Sequence, residues 1–355
     1  MSIVLCLVIS LAIILDAPMK DKSGVKSLDL TYRSLISLKV FSPMTSENPD
    51  AHGIMPETVF HARKRQTRGI IFAIAAGFLW GILPVYINSV DAATPYEIVA
   101  YRAIWSGILL AALMPFLGGF GQIINMLRQR HLLLGLVVTT FLVGLNWSVF
   151  IYTVQSGQIV QAALGYFIYP LVALMLGVLI LGERLDRMGW FAIALVICGV
   201  MAKSIFAGEP PKLSLFLAVT FGLYAVIHKK LGVNPVKALF VESILLLPFG
   251  VAYLYWLVDR NVPIFFGGGA VNILLAVMAG FLTILPLVFF HAGNRALTMT
   301  MSSLLFYFNP TTQLMIGIFI YDASFRMADA ITFGLIWVGI AVYFASRPSA
   351  VKPVV

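Results

Sequence analysis

The stretch Leu164–Arg184, LGYFIYPLVALMLGVLILGER, decides the fold. It carries no charge until Glu183 and Arg184 close it. At about 1.5 Å of rise per residue, an uncharged apolar run of this length covers about 30 Å, the hydrocarbon thickness of a bilayer. It therefore reads as a membrane helix. Offset by 140 positions, Leu304, Phe306, Tyr307, Phe308, Asn309 and Pro310 fall on Leu164, Tyr166, Phe167, Ile168, Tyr169 and Pro170. The run and its degraded copy point to a duplicated helical unit.

The rest of the chain agrees with a lipid environment. Of 355 residues, 60% are hydrophobic and 11% charged, whereas soluble domains carry roughly 25% charged residues. The net charge of +9 is spread as single or paired Lys and Arg between apolar runs, which is how membrane-flanking charges are placed, not how a nucleic-acid surface is built. Cys6 and Cys198 are the only cysteines, so neither a disulfide framework nor a cysteine metal site is available. No cofactor is expected. No HExxH zinc pair, GxSxG elbow or phosphate-cradling GxxxxGK loop occurs, and the chain does not read as an enzyme.

Residues 1–66 differ in character from the remainder of the chain: an apolar start, MSIVLCLVISLAIIL, then a mixed polar stretch with Pro18, Pro43, Pro49 and Pro56. The apolar start is short for a span, and the features of a signal peptide are weak. The expectation is a tail outside the working core, with synthesis beginning at Met55. From Arg68 onward the chain holds ten apolar segments, centred near residues 79, 108, 143, 171, 197, 220, 248, 281, 311 and 337. The sixth, Leu213 to Ile227, is the weakest because it stops early at His228, Lys229 and Lys230. The fold class expected is all-α, with ten transmembrane helices in two five-helix repeats, 67–206 and 207–347, and a short tail at 348–355.

With the distal tail left out, a cytoplasmic amino terminus puts fourteen Lys and Arg inside and five outside. The positive-inside rule then places both termini in the cytoplasm. A five-span repeat must present its second copy upside down, so the halves are inverted. The offset of 140 sets Arg102 on Glu242, Phe150 on Phe290 and Ala162 on Ser302. In the first spans, Leu79, Trp80, Gly81 pairs better with Leu223, Tyr224, Ala225. Inverted repeats are a common construction of secondary transporters.

Trp80 and Gly81 in span one, Glu97, Arg102 and Trp105 around span two, Gly144, Asn146 and Trp147 in span three, and Leu164, Gly165, Tyr166, Phe167, Pro170 with Leu181, Gly182, Glu183, Arg184 in span four form a set. This set resembles the EamA family of the drug/metabolite transporter superfamily, and the tyrosine-rich fourth span with Asn146 and Trp147 is most similar to its RarD-type permeases. The resemblance covers about residues 67 to 346. It implies a ten-span exporter or permease of the bacterial inner membrane, with spans one to four and six to nine around a central cavity and spans five and ten peripheral. The chain departs from the family where the ninth span often ends in a Gly-Glu pair: it reads Tyr321, Asp322, Ala323.

Three groups of residues are candidates for function. Trp80, Asn146, Trp147, Tyr166, Tyr169, Tyr307 and Asn309 offer flat apolar faces with polar edges, suited to an organic solute, and their rings can hold an ammonium group; the competing reading is packing or an interfacial belt, which leads for Tyr86 and Tyr152. Arg102 and Glu242 lie inside apolar segments, where a charge costs at least about 2.5 kcal/mol unless paired or wetted. Inversion puts them near opposite faces, so they are not expected to pair; snorkelling is the plain alternative. His291 in span eight could carry a coupled proton or simply end a helix. Neither it nor His228 has a ligand-spaced neighbour, so no metal is expected. Pro84, Pro170, Pro286 and Pro310 interrupt spans one, four, eight and nine. Gly77 and Gly81 make one small face for helix packing.

These readings converge on a secondary-active transporter of small organic metabolites, amino acids or amphiphilic drug-like compounds. Coupling would be to protons, or transport would be facilitated diffusion down a gradient. The alternatives are a channel or a non-transporting scaffold. The partners are a small-molecule substrate and the lipid bilayer; the oligomeric state is open.

Overall fold

The computed structural model describes residues 57–117, 119–182, 186–294, 297 and 305–345. The expected tail before residue 57, Glu183, Arg184, Arg295 and the end after 345 lie outside the described residues. Among these the chain forms α1 (Glu57–Gly81), α2 (Leu83–Ser89), α3 (Pro95–Leu113), α4 (Gly121–Arg128), α5 (Arg130–Gln155), α6 (Ile159–Leu181), α7 (Arg187–Ala207), α8 (Lys212–Leu231), α9 (Pro235–Asp259), α10 (Ala270–Asn294), α11 (Phe308–Phe319) and α12 (Met327–Ala345). Two short 3-10 turns, Met114–Leu117 and Phe265–Gly267, complete the described elements, which include no strand.

Local sequence sets the helix ends. Thr94 caps α3 by accepting from Glu97 N at 3.2 Å, with Pro95 at the first helical position. Asn234 and Pro235 repeat the device at α9, where the Asn234 side chain accepts from Val236 N and Lys237 N. Asp186 caps α7 through Gly189 N at 2.8 Å. Gly182 and Gly232 end α6 and α8 at φ 68° and 62°, a left-handed conformation that a residue with a side chain rarely takes.

Among the described residues eight helices are long and apolar enough to cross a membrane, the first of them continuing from Arg65 through α2 to Ser89. The ninth and tenth expected segments are present as α11, which as described is shorter than a span, and as α12, whose apolar stretch is Met327–Tyr343. The outer surface of the bundle is apolar: Leu134, Phe141, Phe249 and Phe319 are among the most exposed side chains. The interior instead holds Ser106, Thr139, Asn146, Thr153 and Glu242, all fully buried. This inside-out polarity is what lipid as solvent selects, since a polar group in hydrocarbon needs a partner within the protein.

One expectation needs correction. The sixth segment is not short: α8 runs through Leu231, with His228, Lys229 and Lys230 in its last turn, where cations suit the helix dipole. Pro248 lies inside α9 beside the expected interior prolines Pro170 of α6 and Pro286 of α10. Pro84 lies in the first turn of α2, after a break at Ile82 inside the first span, and Pro310 in the first turn of α11. The connection after α3 carries the short amphipathic helix α4.

Close backbone approaches hold the bundle. A Cβ at Gly77 would stand 2.8 Å from Phe308 Cβ, and one at Gly81 would collide with Thr312, so α1 lies directly on α11. Gly165 brings α6 as close to Ser214 of α8, and Gly280 brings α10 against Trp105 of α3. The principal packing partners are α6 with α8, α3 with α9, α1 with α10, α3 with α10, α5 with α8, α1 with α11 and α6 with α11. Helices α7 and α12 pack chiefly on each other, joined by Lys203 with Asp329 and by Thr332 donating to Gly199 O at 3.0 Å.

Candidate functional site

Phe221 of α8 is the centre of the interior aromatic cluster. Its ring meets Tyr169 at 4.8 Å, Tyr166 at 5.7 Å and Tyr224 at 5.7 Å between centroids. Tyr169 continues to Phe306 at 5.3 Å, which meets Trp80 and Phe290, themselves 5.6 Å apart. Helices α1, α6, α8 and α10 thus contribute to one continuous aromatic surface. Tyr169 and Tyr224 are part-buried within this surface.

Asn146 is fully buried beside this surface, and all its polar atoms are engaged. Its amide donates to Leu217 O at 3.1 Å and Thr220 Oγ1 at 2.9 Å, and its carbonyl accepts from the Tyr166 hydroxyl at 3.2 Å. It braces α5 to α8 and orients Tyr166. Its neighbour Trp147 lies under Arg102, whose Cζ stands 4.2 Å from the ring centroid, a cation–π contact.

Arg102 does not snorkel. It is 5% exposed, and its Nε donates to Thr283 Oγ1 of α10 at 3.0 Å. Tyr86 and Tyr166 are the ionisable side chains within electrostatic reach of its guanidinium. The Tyr86 hydroxyl donates to Leu275 O at 2.9 Å, a second tie between the start of the chain and α10.

Glu242 occupies a different level. One carboxylate oxygen accepts from Thr139 Oγ1 at 2.6 Å and pairs with His228 Nε2 at 2.7 Å; the other accepts from the Tyr224 hydroxyl at 3.1 Å. Tyr224 and His228 are four residues apart and so share one face of α8. Thr139 and Trp147, which mark the two charges on α5, are eight residues apart, or about 12 Å along the helix axis. Arg102 and Glu242 do not pair with each other.

The remaining expected residues are elsewhere. Tyr307 stacks on Phe167 at 5.9 Å, and Phe167 in turn meets Phe333 and Trp337 of α12. Asn309 is buried where α11 meets α1 and accepts from Gln313 Nε2 at 2.8 Å. His291 lies near the end of α10, its ring 5.8 Å from Phe290. Sequence reading missed Thr139, Tyr224 and His228 as partners of Glu242. A signal was present: the same alignment of halves that singles out Trp80 places Tyr224 opposite it, and His228 is one turn further on. Among the described residues no group of His, Cys, Asp and Glu could hold a metal ion.

The EamA-like transporter family model matches residues 67–204. An uncharacterized transporter of Vibrio cholerae is 34% identical over 78% of this chain and 91% of its own length. Protein RarD of Escherichia coli is 33% identical over 79% of this chain and 95% of its own. The uncharacterized transporter YojE of Bacillus subtilis is 31% identical over 79% and 94%. A solved crystal structure, 18% identical, matches 80% of this chain and 100% of that one with a TM-score of 0.54, a likeness of fold alone. Similar along nearly the whole length of these bacterial proteins, the chain belongs to the EamA-like transporter family of multi-pass membrane proteins, among its RarD-type members.

Proposed function

We infer that the protein is a secondary transporter that moves small organic solutes across a bacterial inner membrane by rocking its two halves against each other. The observation that carries this reading is the pattern of helix packing. Exchanging each helix for its counterpart in the other half turns the α1–α10 contact into α8–α5, α6–α8 into α11–α1, and α3–α10 into α9–α5. The contacts α3–α9, α6–α11 and α7–α12 map onto themselves. A twofold-related pair of inverted five-helix repeats, ten spans in all, accounts for the pattern, and such repeats support alternating access around a central site.

The two buried charges join the halves at different levels. Arg102 and Tyr86 belong to the first half and reach Thr283 and Leu275 of the second; Glu242, Tyr224 and His228 belong to the second and reach Thr139 of the first. In this reading each network closes one face, with Glu242 toward the cytoplasm and both termini on that side, as the fourteen inner against five outer Lys and Arg favour. Trp80, Tyr166 and Tyr169 line the solute path, with Asn146 orienting Tyr166. Protonation of Glu242 removes the charge that holds three donors, which couples a proton to opening of that face; His291 is the secondary candidate. The test is uptake into proteoliposomes of a mixture of metabolites and amphiphiles, read by mass spectrometry with and without a pH gradient. Saturable flux with counterflow supports the reading. Flux without saturation makes the protein a channel, and no flux from folded protein makes it a scaffold.

A further inference from the structure

Arg102 is a buried cation whose charge is left unmatched among the described residues. Its Nε is satisfied by Thr283 and one face of its guanidinium by Trp147, but neither terminal nitrogen makes a hydrogen bond to any side chain or carbonyl among the described residues. Nor does a carboxylate approach it. Glu242 is bound in its own network about 12 Å away along α5. Glu97, toward the start of α3, accepts from Phe266 N at 3.2 Å, and Asp329 is paired with Lys203 at the periphery. The groups near the guanidinium are tyrosines whose hydroxyls already donate elsewhere, Tyr86 to Leu275 O and Tyr166 to Asn146 Oδ1.

A guanidinium stacked on an indole and held at Nε presents its terminal N–H groups as a planar fork. That fork matches the two oxygens of a carboxylate. We propose that Arg102, seated on Trp147, is the anchor for the carboxylate of a monoanionic organic solute, whose apolar or aromatic body lies along Tyr166, Phe221 and Tyr169. A single cation with no second Lys or Arg beside it balances one negative charge, so phosphate esters and dicarboxylates are poor ligands, and cations without a carboxylate are repelled. The site rests on the transporter reading for its purpose, but binding can be measured without transport.

The full-length protein in nanodiscs is titrated with matched acids and amides, 3-phenylpropionate against 3-phenylpropionamide and a panel of aliphatic monocarboxylates against their amides, monitored by thermal stabilisation and tryptophan fluorescence. The acids are expected to bind at least about tenfold more tightly than the amides, as loss of a hydrogen-bonded charge pair implies. Arg102→Gln abolishes the preference, and Arg102→Lys, which keeps the charge without the fork, retains part of it and guards against a folding artefact. Equal binding of acids and amides, an acid preference that survives Arg102→Gln, or no binding by any acid at millimolar concentration overturns the proposal. Saturable transport of neutral solutes without acid preference would sink the carboxylate site and leave the transporter standing. Acids that bind through Arg102 but never cross proteoliposomes would do the reverse.

Discussion

Arg102 and Glu242 occupy matching positions in the two halves, 140 residues apart, and each is a charge enclosed by the bundle. Their surroundings differ. Glu242 receives a threonine, a histidine and a tyrosine, all within 3.1 Å. Arg102 receives one threonine and the face of a tryptophan, and its terminal nitrogens are left over. A buried charge is tolerated only with compensation. In one half that compensation is built into the protein; in the other it is incomplete until something else arrives. In the proposed reading this contrast makes Glu242 a switch internal to the protein and Arg102 the seat of a ligand.

The largest expected effect on transport that would sharpen this contrast is at Glu242. Glu242→Gln keeps the shape and removes the carboxylate charge, so pH-gradient-driven accumulation in proteoliposomes is expected to fall at least about tenfold, or about 1.4 kcal/mol of coupling, while flux without a gradient persists. Gradient dependence intact in this variant would move the coupling site elsewhere. Next come the two threonines. Thr139→Val removes a hydrogen bond to a fully buried carboxylate and is expected to cost about 1.5 to 3 kcal/mol of stability. Thr283→Val removes the hydrogen bond to the buried Arg102 guanidinium and is expected to cost a similar amount, with the Trp147 contact kept. Denaturation of both variants in detergent checks this, and no loss in either would contradict it. The smallest effect is expected far from both charges: Lys203→Met breaks the pair with Asp329 between α7 and α12, lowers the melting temperature, and leaves maximal flux within about twofold, since distant sites act independently.

Sequence made the membrane class, the apolar segments and the two interior charges legible, because each depends on residues adjacent in the chain. Arg102 and Glu242 stand out simply as charges inside apolar runs. What surrounds them does not, since Thr139 is 103 residues from Glu242 and Thr283 is 181 from Arg102, and hydropathy carries no record of which face of a helix meets which. His228 shows the difficulty. Beside Lys229 and Lys230 it reads as the ragged end of a span, yet its helical phase turns it inward while α8 continues to Leu231. Tyr307 shows it again: it stacks on Phe167, its own copy 140 residues away, a contact that hydropathy does not record.

The central claim is that the two levels open in turn. With Cys6 and Cys198 replaced by serine, single Thr139→Cys and Thr283→Cys variants in oriented proteoliposomes are challenged with a membrane-impermeant maleimide from each side. The account predicts that Thr139→Cys reacts only from the cytoplasmic face and Thr283→Cys only from the opposite face, and that a condition raising one rate lowers the other. Simultaneous reaction of both positions, or indifference of both to pH and solute, would contradict it.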